Sequence, residues 1–135
     1  MFDTKIAIVI RDDIAVWQKL NVTAFLTSGV LGASEGLIGE AYEDADGNAY
    51  GALLIQPVIV LGTNAEGIRK IYGRAMSRNV RMSIYIEDMF KTGNDIDNRA
   101  TVKQHASADL NLVGLALRDD KKIVDKITKG AKMHP

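Results

Sequence analysis

Two short polar clusters carry the groups best suited to chemistry. Arg11-Asp12-Asp13 closes the apolar run Ile6 to Ile10, and Glu87-Asp88 follows the alternating run Met82 to Ile86, with Lys91 and Thr92 just beyond. In an open α/β sheet the loops at the carboxyl ends of strands gather along one edge, so these carboxylates and Lys91 can converge there. Carboxylates brought together raise one another's pKa, which turns one of them into a general base. The plainer reading caps a helix with Asp13 and leaves Glu87 in solvent, since clustered carboxylates mark sites only statistically. The two histidines, His105 and His134, stand apart and form neither a metal-ligand pattern nor a Ser-His-Asp spacing.

The elements that must position these groups follow from periodicity. Ile6 to Ile10 is continuous, mostly β-branched and bounded by Lys5 and Arg11, the pattern of a strand buried on both faces. A helix is predicted from about Ile14 or Val16 to Leu31, with Asp13 as its N-cap and Gly32 as its stop. Val16, Leu20, Ala24 and Leu31 mark one apolar stripe, which Trp17, Phe25 and Val30 broaden. So wide an apolar surface predicts a helix mostly buried, in part under another subunit, with Trp17 in core or interface. Residues 33–52 read as a hairpin insertion. Glu43-Asp44-Ala45-Asp46-Gly47-Asn48 alternates carboxylates as a calcium loop does, but the glycine comes too early and no closing Glu arrives. Asp46-Gly47 between Tyr42 and Tyr50 fits a tight turn better.

Gln56 to Leu61 predicts a second buried strand, with Pro57 at its tolerated start. Thr63 or Asn64 then caps a helix to about Ser77, with Ile68, Ile71, Tyr72 and Ala75 inward and Arg69, Lys70, Arg74 and Arg78 on a basic face expected in solvent. Arg81 to Ile86 alternates as a third strand, and 87–109 is irregular, with a short helix within 96–106. Leu110 to Leu117 gives a fourth strand, in which Gly114 signals a close backbone approach. Asp119 or Asp120 caps a last helix ending at Gly130, and the tail from Lys132 is expected to fray. Together these predict a single three-layer α/β domain over residues 1–135. Its mixed, mostly parallel four-stranded sheet carries helices on both faces, and the direction of the fourth strand stays open.

Composition sets limits. The 135 residues include 17 basic and 17 acidic side chains, and the zero net charge argues against a dedicated nucleic-acid binder. No cysteine is present, which removes disulfides, thiol chemistry and cysteine-held metals. Met1 to Lys5 lacks a basic region leading into an apolar one, and no apolar run reaches membrane-spanning length. A cytoplasmic location is expected, with no membrane partner, metal or cofactor.

Several motifs, in order, resemble one family. Ile8-Val9-Ile10-Arg11-Asp12-Asp13-Ile14 is similar to the first strand and turn of type-II peptidyl-tRNA hydrolases, an apolar strand followed by Arg-x-Asp-Leu. Asn21-Val22-Thr23-Ala24-Phe25 stands where that family has Gly-Lys-Ile-Ala-Ala-Gln, and Asp88-Met89-Phe90-Lys91-Thr92 is similar to its Asp-Ala-Gly-Arg-Thr. Leu112-Val113-Gly114-Leu115-Ala116 resembles its Val-Leu-Gly-Ile-Gly strand, and Ile123 to Gly130 its closing helix. The departures fall at the helix, where the family's lysine is Asn21, with Lys19 two places earlier, and its glutamine is Phe25. The loop after Thr92 is also longer, and the Asp44 to Asn48 hairpin looks inserted. The combination resembles a bacterial branch of unknown function sharing the hydrolase fold.

The resemblance implies a catalytic set of Asp88, Lys91 and Thr92, and substrate contacts from Arg11, Asp13, Lys19 and Asn21. With the helix lysine gone, it implies a diverged binding domain lacking robust peptidyl-tRNA hydrolysis. The competing expectation is a hydrolase of peptidyl-tRNA or another acyl ester in which Asp88 orients water. Neutral charge disfavours tRNA as partner. The apolar first helix predicts a homodimer or higher homo-oligomer.

Overall fold

The computed structural model describes residues 2–135. Strand β1 (Thr4–Arg11) runs through the middle of the sheet, because both of its faces are apolar: Ile6, Ile8 and Ile10 point to one side, Ala7 and Val9 to the other. Helix α1 (Val16–Ala33) covers the first side. A two-stranded hairpin, β2 (Tyr42–Glu43) and β3 (Ala49–Tyr50), follows, then β4 (Val58–Thr63) and α2 (Ala65–Ser77). The chain continues with β5 (Met82–Ile86), a 3-10 turn over Glu87–Lys91, and α3 (Asp95–Lys103). It closes with β6 (Leu112–Asp120), α4 (Lys121–Ile127) and β7 (Lys132–Met133). Helices α2 and α4 cover the second side through Ile68, Ile71, Tyr72, Ala75, Val124 and Ile127, so the α/β sandwich has three layers.

The sheet is mixed, as expected, but among the described residues it has five strands in the order β5-β6-β1-β4-β7, and only β1 and β4 pair in parallel. The expectation of a mostly parallel four-stranded sheet is corrected. Strand β6 enters antiparallel between β1 and β5, from Thr4↔Asp120 to Ile10↔Gly114 on one side and Met82↔Leu117 onward on the other. The crossovers do give β1, β4 and β5 a common direction, but the long 87–111 segment brings the chain back into the gap between two of them. The tail does not fray. It pairs with β4 through Leu61↔Met133 and Gly62↔Lys132, and the His134 N–H donates to the Val60 carbonyl at 3.0 Å.

Helix α1 shows a second correction. Val22, Leu26 and Val30 face the sheet, whereas Val16 and Leu20 of the expected core stripe are 71% and 68% exposed. Lys19 is the helix's only charge, so two apolar stripes competed with no polar face to decide between them. Trp17 is likewise not core, at 63% exposure. The N-cap is Ala15, whose N–H donates to Gln18 Oε1 at 2.9 Å, because Asp13 turns back to Arg11 Nε at 2.5 Å.

The basic face of α2 is only partly solvated, as expected for Lys70, which pairs along the helix with Glu66, and for Arg78, both exposed. Arg74 instead donates to the carbonyls of Ile127 (3.1 Å) and Lys129 (2.7 Å), satisfying the end of α4. Arg69 lies 4.9 Å from the centre of the Tyr72 ring and donates to the Ser107 carbonyl.

The hairpin turn lies where Asp46-Gly47 predicts it, and Asp44 organises it. Its carboxylate accepts from the Asp46 and Asn48 N–H groups (both 2.9 Å), Asn48 Nδ2 (3.1 Å) and the Tyr50 hydroxyl (2.7 Å). The Tyr50 bond, followed by those from Asn48, holds the Asp44 pKa at about 2, below its ordinary 3.8. A depressed acid pKa stabilises the folded form above the unfolded value and loses that contribution as pH falls. The hairpin is therefore expected to keep its order down to about pH 4 and open between about pH 4 and 2. Nuclear Overhauser contacts across the Tyr42↔Tyr50 pair measure this, and contacts unchanged at pH 2 would contradict it.

Candidate functional site

Strand β5 lies at one end of the sheet and pairs only with β6. Its side chains alternate, so Tyr85 packs in the α1 layer and Ile84 in the α2 layer. Both line one cleft of about 710 Å³, which therefore wraps around the strand's unpaired edge. Trp17, Asn21 and Phe25 of α1 form one wall. Met89 and Phe90 of the 3-10 turn form the floor, and Thr92 to Asp95 with Asn98, Arg99, Val102 and Lys103 of α3 form the opposite wall.

The α1 side is aromatic. Trp17 meets Phe90 edge-on with ring centres 6.1 Å apart, Phe90 meets Tyr85 at 5.2 Å, and Tyr85 meets Phe25 at 6.1 Å. Four of the chain's eight aromatic residues thus form one continuous row. Burial pushes the Tyr85 phenol above its ordinary pKa, which keeps it protonated and able to donate. The α3 side is polar. Asn94 Oδ1 caps the helix by accepting from the Asp97 N–H (2.9 Å), Arg99 pairs with Asp95, and the Thr92 hydroxyl bonds the Met89 carbonyl (2.8 Å) and the Asn98 amide. An apolar, aromatic hollow with a rim of amide and hydroxyl groups binds a small molecule with a flat apolar body and a hydrogen-bonding edge.

Of the residues expected at a site, Asn21 and Thr92 line this cleft. Lys91 is exposed at the end of the 3-10 turn, and Lys19 is half-buried one turn before Val22 on the sheet-facing side of α1. Asp88 does not line the cleft: its Oδ2 lies 3.3 Å from His105 Nε2, which ties the chain just after α3 to the 3-10 turn. His105, isolated in sequence, thus has a carboxylate partner in space. Among the described residues no group of three metal-ligating side chains forms, and no helix is long and apolar enough to cross a membrane.

Arg11 and Asp13 belong to a separate junction. The Arg11 side chain is only 9% exposed, and its donors reach Asp13 (2.5 Å), Asn111 Oδ1 (2.9 Å), Glu87 (3.2 Å) and the Leu112 carbonyl (3.4 Å). Asn111 Nδ2 donates to Glu87 as well, at 2.6 Å. Desolvation lowers the Arg11 pKa, but the bonds to Asp13 and Glu87 outweigh it and the net shift is upward. One guanidinium between two carboxylates leaves the junction net negative, a poor seat for phosphate. The signal that sequence reading passed over was the scarcity of aromatics together with the clustering of Tyr85 and Phe90 beside the Asp88 motif.

Fold and site together define an α/β protein with a mixed five-stranded sheet and an aromatic cleft at the sheet's edge. The chain belongs to the family DUF2000, described as proteins of unknown function, whose model matches residues 4–135. It is 54% identical to a solved protein of unknown function from Agrobacterium tumefaciens strain C58; the match covers 100% of both chains with a TM-score of 0.98. No curated protein matches the chain.

Proposed function

We propose that this protein is a small-molecule binding domain on a fold of the peptidyl-tRNA hydrolase II type, diverged from robust peptidyl-tRNA hydrolysis. One observation carries the reading. Asn21 and Phe25, the positions where the resemblance expects a lysine and a glutamine, both line the aromatic cleft. An ammonium suited to phosphate has given way to a neutral amide, and an amide to a ring that packs on Tyr85. The ligand class is a flat aromatic or alicyclic molecule with hydrogen-bonding substituents, and zero net charge disfavours tRNA. Trp17 is the single tryptophan, so its fluorescence reports the cleft directly. Titration with 8-anilinonaphthalene-1-sulfonate is expected to quench Trp17 saturably at one site per chain, with Phe25→Gln weakening binding about tenfold. Non-saturating quenching, identical in the variant, would remove the cleft as a binding site.

The hydrolase reading has one observation in its favour, the Asp88–His105 pair at 3.3 Å, a carboxylate orienting an imidazole beside Met89 of the cleft floor. Purified protein is expected to leave peptidyl-tRNA uncleaved. Turnover that disappears in Asp88→Asn would replace the binding reading with the hydrolase one.

Self-association is part of the same proposal, with a second copy of the chain as occupant. Val16, Trp17, Leu20 and Phe25 are each more than half exposed on the N-terminal part of α1, where half-buried Lys19 is the one charge, and Leu26 and Val30 are not part of this surface. Exposed apolar residues gathered on one part of a helix mark an interaction surface, and a two-fold axis through α1 would double the area it buries. Analytical ultracentrifugation is expected to show a dimer for the native chain and a monomer for Leu20→Glu. A native monomer at high concentration would refute the dimer.

A further inference from the structure

We infer that the end of the sheet beyond the carboxyl end of α1 is a second binding site, one for a phosphate group. Met82 pairs with Leu117 in the antiparallel β5–β6 ladder, so the next position outward sets Arg81 beside Arg118. Both lie on the α1 side, as do Ser83 and Ala116 two pairs further in. Like charges side by side on neighbouring strands repel, and among the described residues neither arginine has a carboxylate partner. Arg118 Nε donates to Gln56 Oε1 at 3.2 Å, which leaves the two terminal nitrogens of its fork available.

Arg81 and Arg118 line a cavity of about 280 Å³ together with Ser34, Ser83, Gly29 and Gly32. Gly29 brings the helix close: a Cβ there would lie 2.1 Å from Ser83 Oγ, so only glycine lets that hydroxyl stand in the wall. At Gly32 a Cβ would meet nothing within 4 Å, which leaves the mouth open. The carbonyl end of α1 lies nearby and partly offsets the arginines, but two full positive charges exceed the half charge of a helix terminus. Two planar forks and two hydroxyls around a space of this size match a tetrahedral oxyanion, and the arginine geometry suits a phosphate's paired oxygens. Asn21 of the aromatic cleft lies eleven residues along α1 from Gly32, about 16 Å away at helical rise, so the two sites are separate.

Phosphate here could be free or carried by a small phosphomonoester, and the test separates these sources. Native protein is titrated by calorimetry with inorganic phosphate, glycerol phosphate and, as ionic control, chloride. Saturable binding of at least one phosphate species, one per chain, is expected. Affinity should fall at least tenfold in Arg118→Gln and in Arg81→Gln, and stay unchanged in Lys122→Gln, which removes an equal charge elsewhere. Tighter binding of glycerol phosphate than of inorganic phosphate would assign the ester, and the reverse order the free ion. Ser34→Glu keeps both arginines and supplies an internal carboxylate, so it should abolish phosphate binding while raising the melting temperature. The inference is overturned if phosphate behaves as chloride does, if Lys122→Gln loses as much affinity as the arginine variants, or if Ser34→Glu binds phosphate normally.

Discussion

Arg11→Met is expected to lower stability by about 2–3 kcal/mol, somewhat less than the roughly 3–5 kcal/mol for breaking a fully buried ion pair. Methionine fills much of the same space, so the loss is chiefly electrostatic. Asp13 and Glu87 keep 61% and 50% of their side-chain surface in water and rehydrate, which limits the cost. The Leu112 carbonyl, the Asn111 amide and the carboxylates still lose the single group that joins the ends of β1 and β5 to the start of β6. For a chain of this length the melting temperature should fall by roughly 10 °C. Arg11→Lys retains the charge, but one ammonium cannot reach acceptors on three sides, so it should recover less than half of the loss. Equal melting temperatures for the native protein and the methionine variant would show that the junction does not hold the sheet's edge together.

Gly114→Val is expected to cost about 3 kcal/mol and Gly114→Ala about 2 kcal/mol, by overpacking. A Cβ at Gly114 would lie 2.6 Å from Val22 Cγ1, 2.9 Å from Leu26 Cδ1 and 3.3 Å from Ile10 Cδ1. The contacts are with a β-branched side chain and a packed leucine in the seam between α1 and β6, and a close-packed seam has little room to relax. The helix must lift, which also displaces Trp17, Asn21 and Phe25, so binding in the aromatic cleft should weaken along with stability. Adding Val22→Ala to Gly114→Ala opens the space again, and urea denaturation of the single and double variants should show a favourable coupling of about 1 kcal/mol. Strict additivity would mean that the helix does not bear on Gly114.

Local pattern alone was enough for much of this molecule. The continuous apolar run of β1, the alternation in β5, the Asn64 cap and inward face of α2, and the Asp46-Gly47 turn each depend on interactions within a few residues. Gly114 was legible for the same reason, since a glycine inside an otherwise apolar strand has few other purposes. What sequence could not decide were choices between equivalent local options. Helix α1 offers two apolar stripes and one charge, so only contact with the sheet selected Val22, Leu26 and Val30 over Val16 and Leu20. The place of β6 between β1 and β5 depends on how a 25-residue return path closes, a long-range event with no local signature. The cleft is of the same kind. Trp17, Phe25, Tyr85 and Phe90 come from three elements and become one surface only because β5 ends the sheet where α1 crosses it, while Asp88 finds His105 across α3. Side-chain chemistry was written in the chain, and which groups share a space was settled by tertiary packing, because non-local contacts carry no period that a sequence can display.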